Sequence, residues 1–179
     1  MEKVFTGTES MTVDSKGRVG IPARFMAVLR ALAPDDADAV GVTITPDYSL
    51  KIMPIPVFDE EIARLSQLND QVEEERVILN LMASFAERVP LDKQNRLKLN
   101  PLIMDFCSIG REVVITGSIK YLQIWDEAAW RSSSKERLAR LGAASALVAR
   151  KGEAKTPVQY VINADGAEHP PVGPAPAVR

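Results

Sequence analysis

Two aspartates stand four residues ahead of two arginines, Asp14 before Arg18 and Asp92 before Arg96, and lysines lie inside or beside each pair. At that spacing a carboxylate can accept bonds from the N–H groups of a tight turn and from the guanidinium itself. Gly17, next to the first arginine, can take the positive φ that such a turn demands. One Asp-x-x-x-Arg alone is most simply an ion pair that staples a loop, because exposed pairs are commonplace. Two copies, each following an apolar residue and entering an alternating strand, can present their cations on one face if a pseudo-two-fold axis relates them. Such a face offers Lys16, Arg24, Lys93 and Lys98 to phosphates, and a forked guanidinium there matches the guanine edge in a major groove.

The elements that must position these residues form a repeat. Thr12 to Ile21 is echoed by Pro90 to Leu99, and Ser49 to Phe58 by Tyr121 to Trp130 at a shorter offset, so the second copy has lost residues between its landmarks. In copy one Val19 and Ile21 alternate with Arg18 and Gly20, which predicts a half-buried strand. Pro22 opens a helix running from Ala23 to about Leu32, with Met26 and Leu29 on one side and Pro34 as its stop. Val40 to Thr45 and Leu50 to Met53 read as a hairpin around Pro46, Asp47 and Tyr48. Copy two supplies Leu97 and Leu99, a short helix over Pro101 to Cys107, and strands at Glu112 to Thr116 and Tyr121 to Trp125. Phe58, Ile62, Leu65 and Leu68 recur at helical spacing, as do Val72, Leu79, Met82 and Phe85 before copy two. Asp126 caps a helix through Trp130, Leu138 and Leu141 towards Val148. The expected fold class is α+β, with domain limits at 1–68 and 89–150 for the copies, 69–88 for a linking helix, and 151–179 for a Pro/Ala-rich flexible tail.

Bulk properties bound the function. A chain of 179 residues with 46% hydrophobic residues folds into one ordinary or two small domains. No signal peptide or membrane span is visible, so the expected compartment is the cytoplasm, with no membrane partner. Cys107 is the only cysteine and His169 the only histidine, which leaves no disulfide, no cysteine-rich zinc site and no nucleophile with a base. No metal, no cofactor, no small-molecule substrate and no enzymatic activity are expected. The net charge of −2 means that nucleic-acid binding must rest on local segregation. Such segregation exists: Lys16, Arg18, Arg24 and Arg30 at the front, carboxylates from Asp35 to Glu75, then Arg88, Lys93, Arg96, Lys98 and Arg111. Glu73, Glu74 and Glu75 point different ways on a helix and suit a solvated or subunit-contacting face better than a cation site. Phe58, Tyr121, Trp125 and Trp130, at strand-to-helix junctions, read as core rather than as base-stacking platforms.

Phe5 to Gly7, Asp14 to Arg18, Ile21 to Phe25 and the second pair Asp92 and Arg96 together resemble the MraZ family over roughly the first 145 residues. The resemblance implies two tandem swapped-hairpin barrel repeats of the AbrB type. It implies a ring-like homo-oligomer, nucleoid-associated, that binds short G-rich direct repeats in double-stranded DNA ahead of its own division and cell-wall operon and represses it. Arg18 and Arg96 are then the motif arginines at the DNA face, Asp14, Gly17 and Asp92 structure the loops, and Lys16 and Arg24 match basic positions of the first motif. Met26 departs from a basic position, Asn95 replaces a glycine, and Pro101 stands one place late. Asn tolerates the left-handed region, so the second turn is expected to survive. The alternative is a protein-interaction module of the same fold, antitoxin-like, which the net acidity and the helices leave room for.

Overall fold

The central strands are buried along most of their length, the edge strands alternate between half-buried and exposed, and proline marks the points where several of the helices begin. The computed structural model describes residues 3–153 and two short paired strands, Val161–Ile162 and Glu168–His169. The chain divides into two compact units, Met1–Ser133 and Ser134–Arg179. In order the elements are β1 (Thr8–Thr12), β2 (Arg18–Gly20), α1 (Ala23–Leu32), β3 (Ala39–Ile44), β4 (Leu50–Met53), α2 (Ile55–Leu65) and α3 (Glu73–Ser84). They continue as β5 (Glu87–Pro90), β6 (Arg96–Lys98), α4 (Pro101–Phe106), β7 (Glu112–Gly117), β8 (Leu122–Asp126) and α5 (Glu127–Glu153). The remainder of the expected tail lies outside the described residues.

The fold is mixed, with helices around an antiparallel sheet of six strands ordered β1-β7-β8-β4-β3-β5 and a separate ribbon of β2 with β6. Exchanging β1 with β5, β3 with β7 and β4 with β8 turns that order into its own reverse. The registers agree: the β1–β7 pair Thr12–Glu112 has its counterpart in the β5–β3 pair Pro90–Ala39. The pairs Val19–Leu97 and Lys51–Gln123 map onto themselves, so an approximate two-fold axis passes through both. Outside the hairpins β3–β4 and β7–β8, every strand of one copy pairs with a strand of the other.

One core serves both copies. Val19, Ile21, Phe25 and Leu29 meet their counterparts Leu97, Leu99, Ile103 and Cys107 in a single buried cluster. Each large apolar side chain so buried contributes about 1.5–3 kcal/mol. Helix α1 occupies the predicted span and buries Phe25, Met26 and Leu29. The late proline of copy two has a local explanation. Pro22 is the N-cap of α1, and its equivalent Asn100 is the N-cap of α4, where its side chain accepts a bond from Leu102 N at 3.0 Å. Pro101 then occupies the first helical position, where no N–H is needed.

Helix α2 starts earlier than the apolar spacing predicts and buries Ile55, Phe58 and Leu65, while Ile62 stays at the surface and Leu68 falls beyond the end. The face that Ile62 was expected to share is taken instead by Glu61, buried against Lys51 Nζ at 3.0 Å and paired also with Arg64. Helix α3 covers the second predicted segment but buries none of its residues. Asp126 caps α5 as expected, its Oδ1 accepting from Ala128 N at 3.0 Å and Ala129 N at 3.1 Å. Trp125 and Phe58 are core residues.

Candidate nucleic-acid interface

The two Asp-x-x-x-Arg segments fold into the same loop. In the first, Asp14 Oδ1 accepts from Lys16 N at 2.9 Å and Arg18 N at 3.0 Å, and Oδ2 accepts from Arg18 Nε at 2.8 Å and Nη2 at 2.7 Å. In the second, Asp92 Oδ1 accepts from Gln94 N at 2.8 Å and Arg96 N at 3.0 Å, and Oδ2 from Arg96 Nε and Nη2, each at 2.7 Å. Backbone bonds close both turns in parallel fashion: Gly17 N to Asp14 O at 2.9 Å and Asn95 N to Asp92 O at 2.8 Å. Gly17 has φ of +73° and Asn95 of +57°. A Cβ on Gly17 would meet nothing nearer than Leu99 O at 3.8 Å, so backbone conformation and not space sets the requirement. Asparagine meets it in the second loop because its short polar side chain tolerates the left-handed region.

The loops sit at opposite ends of the β2–β6 ribbon, where Arg18 faces Lys98 and Arg96 faces Gly20. Val19 and Leu97 are fully buried, and the residues on either side of them alternate to the other face of the ribbon. Arg18 Nη1 also comes within 3.7 Å of Asp92 Oδ2, tying the two loops together electrostatically. Both arginine side chains keep about a quarter to a third of their surface exposed, at 26% and 30%. Each carboxylate grips the side edge of its guanidinium, through Nε and Nη2. The end-on edge, Nη1 with the second N–H of Nη2, is not used by that carboxylate, and this is the edge a guanine or phosphate takes in a forked contact.

The bonds from the Arg18 guanidinium and the Arg18 and Lys16 N–H groups hold the Asp14 carboxyl down to about 2, and the same pairing raises Arg18. Partial desolvation pushes Asp92 up, yet the bonds from the Arg96 guanidinium and from the Arg96 and Gln94 N–H groups outweigh it and keep that carboxyl below its usual value. A carboxyl depressed in this way supports the fold above its unfolded pKa and loses that support as the pH falls through the folded one. Both staples are therefore intact across the neutral range.

The remaining cations divide. Lys16 and Lys93 are exposed at the loop tips, and Lys98 is exposed on the ribbon. With Arg18 and Arg96 they set five cations against the two loop carboxylates. Arg24 is placed elsewhere: its Nε pairs with Glu9 at 3.0 Å, its Nη2 donates to Thr8 O at 3.0 Å, and its guanidinium lies 4.5 Å over the Phe25 ring. These bonds fasten α1 to β1 and do not bring Arg24 to either loop. Arg30 does reach a loop, donating from Nη2 to Asn95 Oδ1 at 2.9 Å. Sequence spacing groups Arg30 with the basic front but gives no sign of this reach across 65 residues. Burial pushes the Cys107 thiol up to about 11, so it is no nucleophile at neutral pH. Among the described residues no helix is long and apolar enough to cross a membrane.

Comparison with known proteins points to one family. The MraZ protein family model, antitoxin-like by its description, matches residues 82–150, from the end of α3 through the second copy and most of α5. A transcriptional regulator MraZ of Mycobacterium sp. (strain KMS) is 34% identical over 128 residues, which is 72% of this chain and 85% of the relative. One from Mycolicibacterium gilvum is 33% identical over 144 residues, 79% of this chain and 94% of the relative. One from Herpetosiphon aurantiacus is 33% identical over 129 residues, 72% and 85% respectively. These relatives carry the name of transcriptional regulators and not of enzymes. Identity at this level over most of both chains places the protein in the MraZ family of transcriptional regulators.

Proposed function

We propose that the protein is a sequence-specific DNA-binding repressor of the division and cell-wall gene cluster, acting on G-rich direct repeats at its own promoter. The observation that carries this reading is the matched pair of loops, each gripping its arginine by the side edge through its own aspartate and leaving the side chain about a quarter to a third exposed. On this reading Arg18 and Arg96 contact guanine, Lys16, Lys93 and Lys98 contact phosphate, and Asp14, Gly17 and Asp92 hold the loops in shape. Arg24 contributes by anchoring α1 and by its positive charge. The interleaved strands and self-reversing sheet order support a swapped-hairpin barrel built from repeats at 1–68 and 89–150 and linked by 69–88. The protein acts in the cytoplasm, at the nucleoid, without cofactor, metal or small-molecule substrate.

Few cations per subunit bind DNA weakly, so linked copies are needed to reach repeated sites together. Support for a ring-like homo-oligomer comes from α3. Its Val77, Ile78 and Leu81 are exposed and, with Tyr48 and Phe106, line an apolar groove of about 490 Å³. Patches of this kind, rimmed by polar residues, mark interaction surfaces. Leu81→Glu is expected to lower the mass measured by analytical ultracentrifugation and to weaken binding to a multi-repeat duplex at least tenfold while leaving a single-repeat duplex unchanged. Retention of the full assembly by this variant counts against α3 as the contact.

The test of function is a fluorescence-anisotropy titration of wild type and Arg18→Ala against a G-rich repeat duplex and a scrambled control, with salt varied. Preference for the repeats that Arg18→Ala removes, with thermal unfolding still cooperative, is the expected result. No preference at any salt moves the reading to a protein-interaction module of the same fold.

A further inference from the structure

The two loops share a backbone but not their tips. Superposing copy one on copy two through the axis at Val19 and Leu97 sets Ser15 on Lys93 and Lys16 on Gln94, and on the ribbon it sets Gly20 on Lys98. At the second tip position the cation Lys16 is replaced by the neutral amide Gln94, while at the first Lys93 stands where copy one has Ser15. The first end of the ribbon thus gathers Lys16, Arg18 and Lys98, the last two facing each other across the strands. The second end has Lys93 and Arg96, with Gly20 opposite the arginine.

Gln94 is exposed, and its bond to Asp92 Oδ1 at 2.8 Å is made by its backbone N–H, so the side chain is not what shapes the turn. A primary amide carries a donor and an acceptor side by side. That pattern complements the N6 and N7 edge of adenine and no other base edge as well, whereas a lysine in the same place is a point charge that favours phosphate or guanine. Resting on the DNA-binding reading above, we infer that Gln94 is a specificity-determining residue that reads an A·T pair beside the base pair taken by Arg96, and that the two halves of the molecule therefore read unlike half-sites. An asymmetric reader of this kind has a direction on DNA. It matches sites repeated head to tail and not a palindrome, because reversing one half-site would place Lys16 where Gln94 belongs.

The experiment is a selection from a randomised duplex library with full-length wild type, followed by anisotropy titrations of Gln94→Ala, Gln94→Asn and Gln94→Lys on single-position variants of the selected site. The expected result is an adenine preference at one position that Gln94→Ala lowers about tenfold, with other positions and the salt slope unchanged, and that Gln94→Asn retains in part. Gln94→Lys is expected to lose the same preference and to steepen the salt dependence by about one phosphate equivalent. If wild type selects a site but Gln94→Ala keeps the same preference at every position, Gln94 is not a reader and the inference falls while DNA binding stands. If wild type selects no site at any salt, the DNA-binding reading fails and the inference with it.

Discussion

Asp14→Ala is expected to bind a scrambled duplex at least as tightly as wild type and yet to lose tenfold or more of its preference for the G-rich repeats. Two effects oppose each other here. Removing a carboxylate from beside Arg18 and Lys16 makes the surface more positive, which strengthens sequence-independent attraction to phosphate. Removing it also frees Arg18 Nε and Nη2 and the Lys16 and Arg18 N–H groups, all four of which Asp14 now holds. The guanidinium then samples many orientations, and a forked base contact worth about 1–3 kcal/mol of discrimination depends on one of them. Coulomb attraction alone predicts tighter binding to both duplexes. Orientation predicts a fall in the specific-to-scrambled ratio, and anisotropy on both duplexes at one salt concentration separates the two. A variant that gains equally on both would show that Asp14 does no more than soften the charge of the loop.

The second large effect is on stability. Gly41 lies in β3 beneath α2, and a methyl group there would overlap Phe58 Cβ and Cγ, the part of the ring side chain closest to its own backbone. Phe58 is 5% exposed and cannot swing clear without lifting α2 from the sheet. Overpacking of a well-filled core costs about 1–3 kcal/mol, and a clash against atoms this close to a helix backbone belongs at the upper end. Gly41→Ala is therefore expected to lower the Tm by roughly 10 °C. The matched control is Gly142→Ala in α5, where an added Cβ meets nothing within 4 Å and the helix gains from losing glycine. Calorimetry of both variants should give opposite signs. Equal and small shifts would mean that α2 is not seated on Gly41 in solution.

What the sequence made legible was whatever a local rule governs. The turn chemistry of Asp14, Gly17 and Arg18 could be read directly, as could the proline starts and the apolar face of α1, because spacing along the chain decides them. The survival of the second turn through Asn95 comes from the same kind of rule. The edge strands β1 and β5 were not legible: Thr8–Thr12 and Glu87–Pro90 alternate between half-buried and exposed and lack a run of β-branched residues, so their pairing with β7 and β3 comes from tertiary context. Glu61 broke the expected apolar stripe of α2 because a lysine on a neighbouring strand neutralises it. Arg24 was legible as a basic residue of the first motif, but its pairing with Glu9 and Thr8 was not, because no spacing rule ties it to them.

Because β1 pairs with β7 and β2 with β6, the amino-terminal strands have no partners until residues about eighty to a hundred positions later have left the ribosome. Until then the nascent chain carries a preformed β3–β4 hairpin flanked by open edges, a state prone to self-association. Closing the sheet must wait for β8, which ends at Asp126, and such pairings between strands far apart in sequence slow folding. Truncation at the linker would not yield a half-sized reader with half the affinity, but two fragments that each lack the strands needed to fold.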